Sequence, residues 1–236
     1  MDTTHLPPAA GAPAPDAFDG SPTWKVVRTL RDGTAITIRP ITPDDREELR
    51  RAFRETSATT RYLRFMGVVG ELSESMLTYL TEVDQKNHIA LVATITSPDL
   101  KTERGVGVAR VIRLEGEPHV AEAAITVADD MQKRGIGSAL AIELEHAARR
   151  AGIHTIRAEV LEGNAAMRAI LEMAGAHRVA SRNGSGTLSY NFSIEPVHPT
   201  RIVDVLRGAS QTMAMSLLKL LPPPHAHEKG PDKGPH

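Results

Sequence analysis

Cysteine is absent from this 236-residue chain, which excludes disulfides, thiolate metal sites and cysteine nucleophiles together. Aromatic residues make up only 3% of the sequence, so aliphatic and methionine side chains must fill most of any core. Neither sign of charge dominates. A formal net charge of −1 gives no global field to draw nucleic acid or an anionic membrane. No apolar run approaches the roughly 18 residues that cross a bilayer, and the N-terminus lacks a basic-then-apolar secretion signal. The expectation is a cytoplasmic protein with no membrane span. A hydrophobic fraction of 41% is enough for one domain of ordinary size.

Residues 1–23 are rich in Pro and Ala with little to bury, which predicts a disordered leader. Trp24–Leu30 and Thr34–Arg39 flank Arg31-Asp32-Gly33, a hairpin signature. Thr42-Pro43-Asp44-Asp45 reads as a cap before a helix to about Phe53, and further helices are expected over 57–66 and 72–82. His88–Ile95, Gly105–Leu114 and Val120–Val127 read as strands. In the long helix that follows, Leu140, Ala141, Leu144, Ala147, Ala148 and Ala151 share one face. Glu145 and Arg149 form an i,i+4 pair on it, and Gly152 is its stop. Thr155–Val160 is a strand, and Asn164 caps a helix whose buried stripe is Met167, Ile170, Leu171 and Ala174, ended by Gly175. Asn183-Gly184 turns a last hairpin with Thr187–Ile194 as its outgoing strand. The order predicts a mixed α/β fold with one central sheet. Residues 201–221 read as an amphipathic helix for intramolecular or homodimer packing, since Arg201, Arg207 and Lys219 are few for a lipid surface. A polar tail, 222–236, is expected to be disordered.

The strongest chemical signal is VADDMQKRGIG, residues 127–137, where a strand meets a glycine-bearing loop and then a helix. Glycines there let backbone N–H groups approach an anion, and the helix N-terminus adds its positive dipole end. A P-loop is excluded because Gly-Lys-[Ser/Thr] is missing. A Rossmann site is disfavoured because Leu140 stands where the third small residue belongs, and no acidic ribose ligand ends the next strand. The bland alternative is a glycine turn with no ligand. Gln132, Lys133 and Arg134 crowding the same turn favour the anion.

Val127-x(4)-Gln132-x-x-Gly135-x-Gly137 resembles motif A of the GCN5-related N-acetyltransferase (GNAT) superfamily. The strand at 155–160, Asn164 and Gly175 follow in that superfamily's order. The resemblance implies a single GNAT-type central sheet flanked by helices over 24–195, and acetyl-CoA as co-substrate. It implies that the strand carrying Ile125 and Val127 splays from its neighbour and offers backbone groups to the pantetheine amides. The segment Gln132, Lys133, Arg134, Gly135, Ile136, Gly137 and Ser138, with Ala139 at the helix start, would hold the CoA diphosphate. Asn164 would lie along the pantetheine arm.

An unperturbed lysine has a pKa of about 10.4, so attack on a thioester needs a base in the cleft. Glu122, five residues before Val127 in an otherwise apolar strand, stands where related lysine acetyltransferases place their glutamate base. The alternative is a solvated strand residue. Many members carry a thiolate-protonating tyrosine seven residues after the asparagine. Here that position is Leu171, so water or another group must serve, and Tyr190 reads better as a packing residue. Arg54-Glu55-Thr56-Ser57 leading into Thr60-Arg61-Tyr62-Leu63-Arg64-Phe65 resembles the Pat-type bacterial protein lysine acetyltransferases. That makes a protein lysine the expected acceptor. A small amine, or a non-catalytic acyl-CoA sensor, is the alternative. The length leaves no room for the regulatory domain such enzymes often carry. His225-x-His227 lacks a third metal ligand, so no metal is expected, and Gly184-Ser185-Gly186 is a turn.

Overall fold

The computed structural model describes residues 18–55, 71–96, 102–163, 165–173, 175–180 and 186–194. The helix expected over 57–66, Asn164, the Asn183-Gly184 turn, the 201–221 helix and the C-terminal tail lie outside the described residues. So does the leader up to residue 17.

Strands β1 (Val26–Thr29) and β2 (Ala35–Pro40) form the predicted hairpin. Gly33 turns it at φ +85°, and Asp32 Oδ1 accepts the Thr34 amide at 3.0 Å. Thr42-Pro43-Asp44-Asp45 does cap: the Asp45 carboxylate accepts the Thr42 amide at 2.8 Å, and helix α1 (Arg46–Glu55) follows a single 3-10 turn. Helix α2 (Glu74–Thr81) is capped by Ser73, whose Oγ accepts the Met76 amide. Then come β3 (His88–Thr96), β4 (Glu103–Leu114), β5 (Glu117–Val127) and helix α3 (Ile136–Arg150). Strand β6 (Thr155–Leu161), helix α4 (Ala165–Met173), β7 (His177–Val179) and β8 (Thr187–Ser193) complete the chain described.

All described strands join one sheet in the order β1-β2-β3-β4-β5-β6-β8-β7. Every pairing is antiparallel except β5–β6, which α3 connects as a crossover. Alternate residues face opposite layers. Ile89, Leu91, Ala109, Val111, Ala121 and Ala123 face α3, against Leu140, Leu144 and Ala148. On the other face Ala124 packs with Phe53 of α1, Leu77 and Leu80 of α2, and Leu72 just before α2. Among the described residues no helix is long and apolar enough to cross a membrane.

Two features position the site. Ala93 pairs with Gly107 and Thr94 with Gly105, leaving Val106 as a bulge residue in β4. A Cβ on Gly107 would sit 2.9 Å from both Leu140 Cδ1 and the Thr126 carbonyl oxygen, so only glycine lets α3 lie this close to β4. At the chain start, Phe18 is 4% exposed and stands edge-on to Trp24 at 5.1 Å, inside the stretch expected to be disordered. One aromatic ring buries enough apolar area to fix a segment that its Pro- and Ala-rich neighbours cannot.

Candidate active site

Beyond Val127 the chain makes a 3-10 turn, Asp129–Met131, that drops Met131 into the core. Gln132 reaches back, its Nε2 donating to Asp129 Oδ1 at 2.9 Å and toward the Val127 carbonyl at 3.4 Å. Lys133 at φ +63° and Gly135 at φ +97° are both left-handed, so the backbone curls twice before α3 begins. Gly135 is the N-cap and has no side chain to offer the helix. Ala139 is the first residue whose amide finds a helical acceptor, the Gly135 carbonyl at 3.0 Å. Among the described residues, no acceptor meets the amides of Lys133 through Ser138. That is a row of donors at the positive end of a 15-residue helix, with no acidic residue in the first turn.

The side chains of this loop look elsewhere. Arg134 folds onto the β1–β2 turn, with Nε 2.7 Å and Nη2 2.5 Å from Asp32 Oδ2 and Nη2 2.9 Å from Thr34 Oγ1. The Thr34 amide and hydroxyl and this guanidinium hold the Asp32 carboxyl down at about 2. Ile136 is buried beneath the loop, whereas Lys133 is exposed. A Cβ on Gly137 would meet only Val127 Cγ2, at an ordinary 3.6 Å, so packing does not demand glycine there.

Strand β5 pairs with β6 at only three positions, Val120–Thr155, Ala121–Ile156 and Glu122–Arg157. Past Glu122 the strands part, and Ala158–Leu161 continue with β8 alone. The sheet opens as a V whose mouth faces the 132–138 loop. Glu122, 7% exposed, is the last paired residue and stands at the crotch, on the α1–α2 face with Ala124 and Thr126. Arg157, opposite it, is held by Glu117 through two 2.8 Å bonds and by Asn191 at 2.9 Å. Glu117 chiefly raises this guanidinium above its ordinary range, and Glu122 adds a smaller share. Ile125 and Val127 turn their side chains toward the α3 core and lie beyond the last β5–β6 pair. Leu171 is buried in the same core. Tyr190 is buried there too, its hydroxyl 3.0 Å from Glu172 Oε1, and burial followed by that carboxylate raises the phenol.

A cleft of about 530 Å³ opens on the α1–α2 face, over β2 to β5. Ala128, Asp129 and Asp130 join it to the cradle loop, although neither Glu122 nor residues 132–138 line it. Its mouth is acidic, with most carboxylates paired: Asp45 and Glu103 on Arg39, and Asp130 on Arg104. Glu48 accepts the Gly105 amide at 2.6 Å beside Arg51. Deeper in, Arg110 is 3% exposed, with Nη1 3.0 Å from His88 Nε2 and Nη2 3.2 Å from the Leu80 carbonyl. Burial pushes Arg110 down to about 10. Burial first, and the Arg110 charge second, push His88 down to about 3. His88 is therefore neutral and accepts on Nε2, with its proton on Nδ1. Sequence reading did not find this pair. The available signal was an arginine inside the apolar run Val106–Ile112.

The family model described as Acetyltransferase (GNAT) domain matches residues 35–177. The chain belongs to the GNAT family. It is 33% identical over 142 residues to Acetyltransferase PA5475 of Pseudomonas aeruginosa, a match covering 60% of this chain and 75% of that one. It is also 33% identical over 190 residues to Acetyltransferase Pat of Mycolicibacterium smegmatis. That match covers 77% of this GNAT chain but only 54% of Pat, so the chain spans about half of that relative's length. The structure of the GNAT domain of S. lividans PAT superposes with a TM-score of 0.61 at 29% identity, over 72% of this chain and 97% of that one.

Proposed function

We propose that this chain transfers an acetyl group from acetyl-CoA to an amine, with a protein lysine as preferred acceptor. The observation that carries the reading is the row of amides from Lys133 to Ser138, without acceptors among the described residues and set at the mouth of the V. A diphosphate is the ligand such a row suits, since each N–H donates to a phosphate oxygen and the helix end favours negative charge. Gly137, which packing leaves free to carry a side chain, is explained by the closeness of that diphosphate. Arg134 and Ile136 contribute through backbone here, and Lys133 can add its exposed ammonium. The amides of Gln132 and Ala139 are engaged by the Asp129 and Gly135 carbonyls, so Gln132 would serve by shaping the loop and Ala139 by its small side chain. The backbone of Ile125 and Val127, beyond the last β5–β6 pair, would lie along the pantetheine amides, and Asn164 would flank the arm.

Glu122 is the base in this reading. Its carboxylate takes a proton from the acceptor amine, directly or through a water. The amine nitrogen bonds to the thioester carbon, the C–S bond breaks, and CoA leaves as a thiolate protonated by solvent, because Leu171 offers no proton. Without cysteine the chain has no thiol for an acyl-enzyme intermediate. The likeness to Pat over 190 residues supports a protein lysine acceptor.

The deciding experiment compares wild type with Glu122→Gln for acetyl-CoA affinity by calorimetry and for turnover on lysates, reading acetylated lysines by mass spectrometry. Turnover should fall about 10²- to 10⁴-fold, as for a lost general base, while affinity stays within about threefold. Unchanged turnover would remove Glu122 from the mechanism. Failure of the wild type to bind CoA would overturn the whole reading.

A further inference from the structure

Arg110 lines the cleft and is 3% exposed, yet its two hydrogen-bond partners, His88 Nε2 and the Leu80 carbonyl, are neutral. Among the described residues no carboxylate pairs with it, while Arg39 and Arg104 at the mouth of the same cleft each hold one. A guanidinium has five N–H donors, and its two neutral contacts orient the group without neutralising it. Burying such a charge without a counter-ion is costly, and an apolar side chain of similar volume would suit neighbours such as Phe53, Leu72 and Ala124. The carboxyl end of helix α2 offsets part of that cost at Leu80, but a helix terminus carries only about half a charge.

We propose that Arg110 binds a carboxylate, so that the inner end of the cleft takes the anionic end of one of the two reactants. This rests on the acyl-transfer reading of β5, since Ala124 and Thr126 on that strand also line the cleft. The carboxylate has two sources, a dicarboxylic acyl group on the thioester or an acceptor amine with its own carboxylate. In water-poor, apolar surroundings the fork of Arg110 holds either by charge-assisted bonds. The acidic mouth is partly neutralised, with Asp45 and Glu103 engaged by Arg39, Asp130 by Arg104, and Glu48 and Glu55 by Arg51.

Two matched pairs test this on the full chain: succinyl-CoA against butyryl-CoA as donors, and L-lysine against cadaverine as acceptors. Each pair is read by kcat/KM and by calorimetric Kd. Wild type should favour the carboxylate-bearing member of one pair tenfold or more, and the pair that responds names the source. In Arg110→Gln that ratio should fall toward one, and Arg110→Lys should keep part of it. Ratios are taken within one variant, so partial destabilisation does not mimic the result. Equal treatment of both pairs by wild type, or a preference that survives Arg110→Gln, overturns the proposal. Binding without any turnover would instead sink the proposed reaction and leave the Arg110 comparison readable in Kd.

Discussion

A neutral histidine beside a buried arginine ties stability to pH. His88 sits near 3 in the folded chain, against about 6.5 when unfolded. Between these values the unfolded chain binds the extra proton, so stability is full above about 6.5 and falls as pH drops toward 3. The loss should approach about 2 kcal/mol between pH 7 and 5. Urea unfolding at both values should show it in wild type, and a smaller loss in His88→Gln, whose amide oxygen can still accept from Arg110. Glu122 and Arg110 are both charges in apolar strands, and only the first was singled out from sequence, through the resemblance to lysine acetyltransferases. For Arg110, alternation shows that it faces the other layer from Ala109 and Val111. It does not show that a cleft, rather than solvent, lies there.

Among elements, the contact of α3 with β4 is the one to break. Gly107→Ala would drive a methyl against Leu140 and the Thr126 carbonyl, with Ile136 Cγ2 only 3.3 Å away. Overpacking of this kind costs about 1–3 kcal/mol. Because Ile136 opens α3, the displacement should also weaken acetyl-CoA binding. Thermal unfolding and calorimetry together check this, and a stability loss with unchanged affinity would show that the loop moves independently. Helix α3 was legible from its apolar period: Leu140, Ala141, Leu144, Ala147 and Ala148 are all buried. Its buried Glu143 and Glu145 were less so. Glu145 does pair with Arg149, but Arg149 also bonds the Ile194 carbonyl, and Glu143 pairs with Arg28 across 115 positions. A helical period carries no information about partners that distant.

For the whole molecule, the V divides the sheet into a β1–β5 part and a β6–β8 part that share three residue pairs. A ligand seated along that opening contacts both parts, so its binding energy becomes folding energy. At 100 times its Kd, CoA should add about 2.7 kcal/mol and raise Tm by roughly 5–10 °C. Gly135→Asp should show no such rise, since φ +97° strains any side chain and the new carboxylate repels the diphosphate. Differential scanning fluorimetry with and without CoA reads both. Strand order along the chain was legible, but the V was not legible from residue pattern and entered only through the resemblance to GNAT enzymes. The few pairs joining β5 to β6 also bear on where this protein can be cut. The family match stops at residue 177, yet seven residues of β6 pair with β8, beyond that limit. A fragment trimmed to the matched segment would leave β6 nearly bare on both sides, exposing an unpaired edge that invites aggregation. The unit recognised by homology is therefore smaller than the unit that folds.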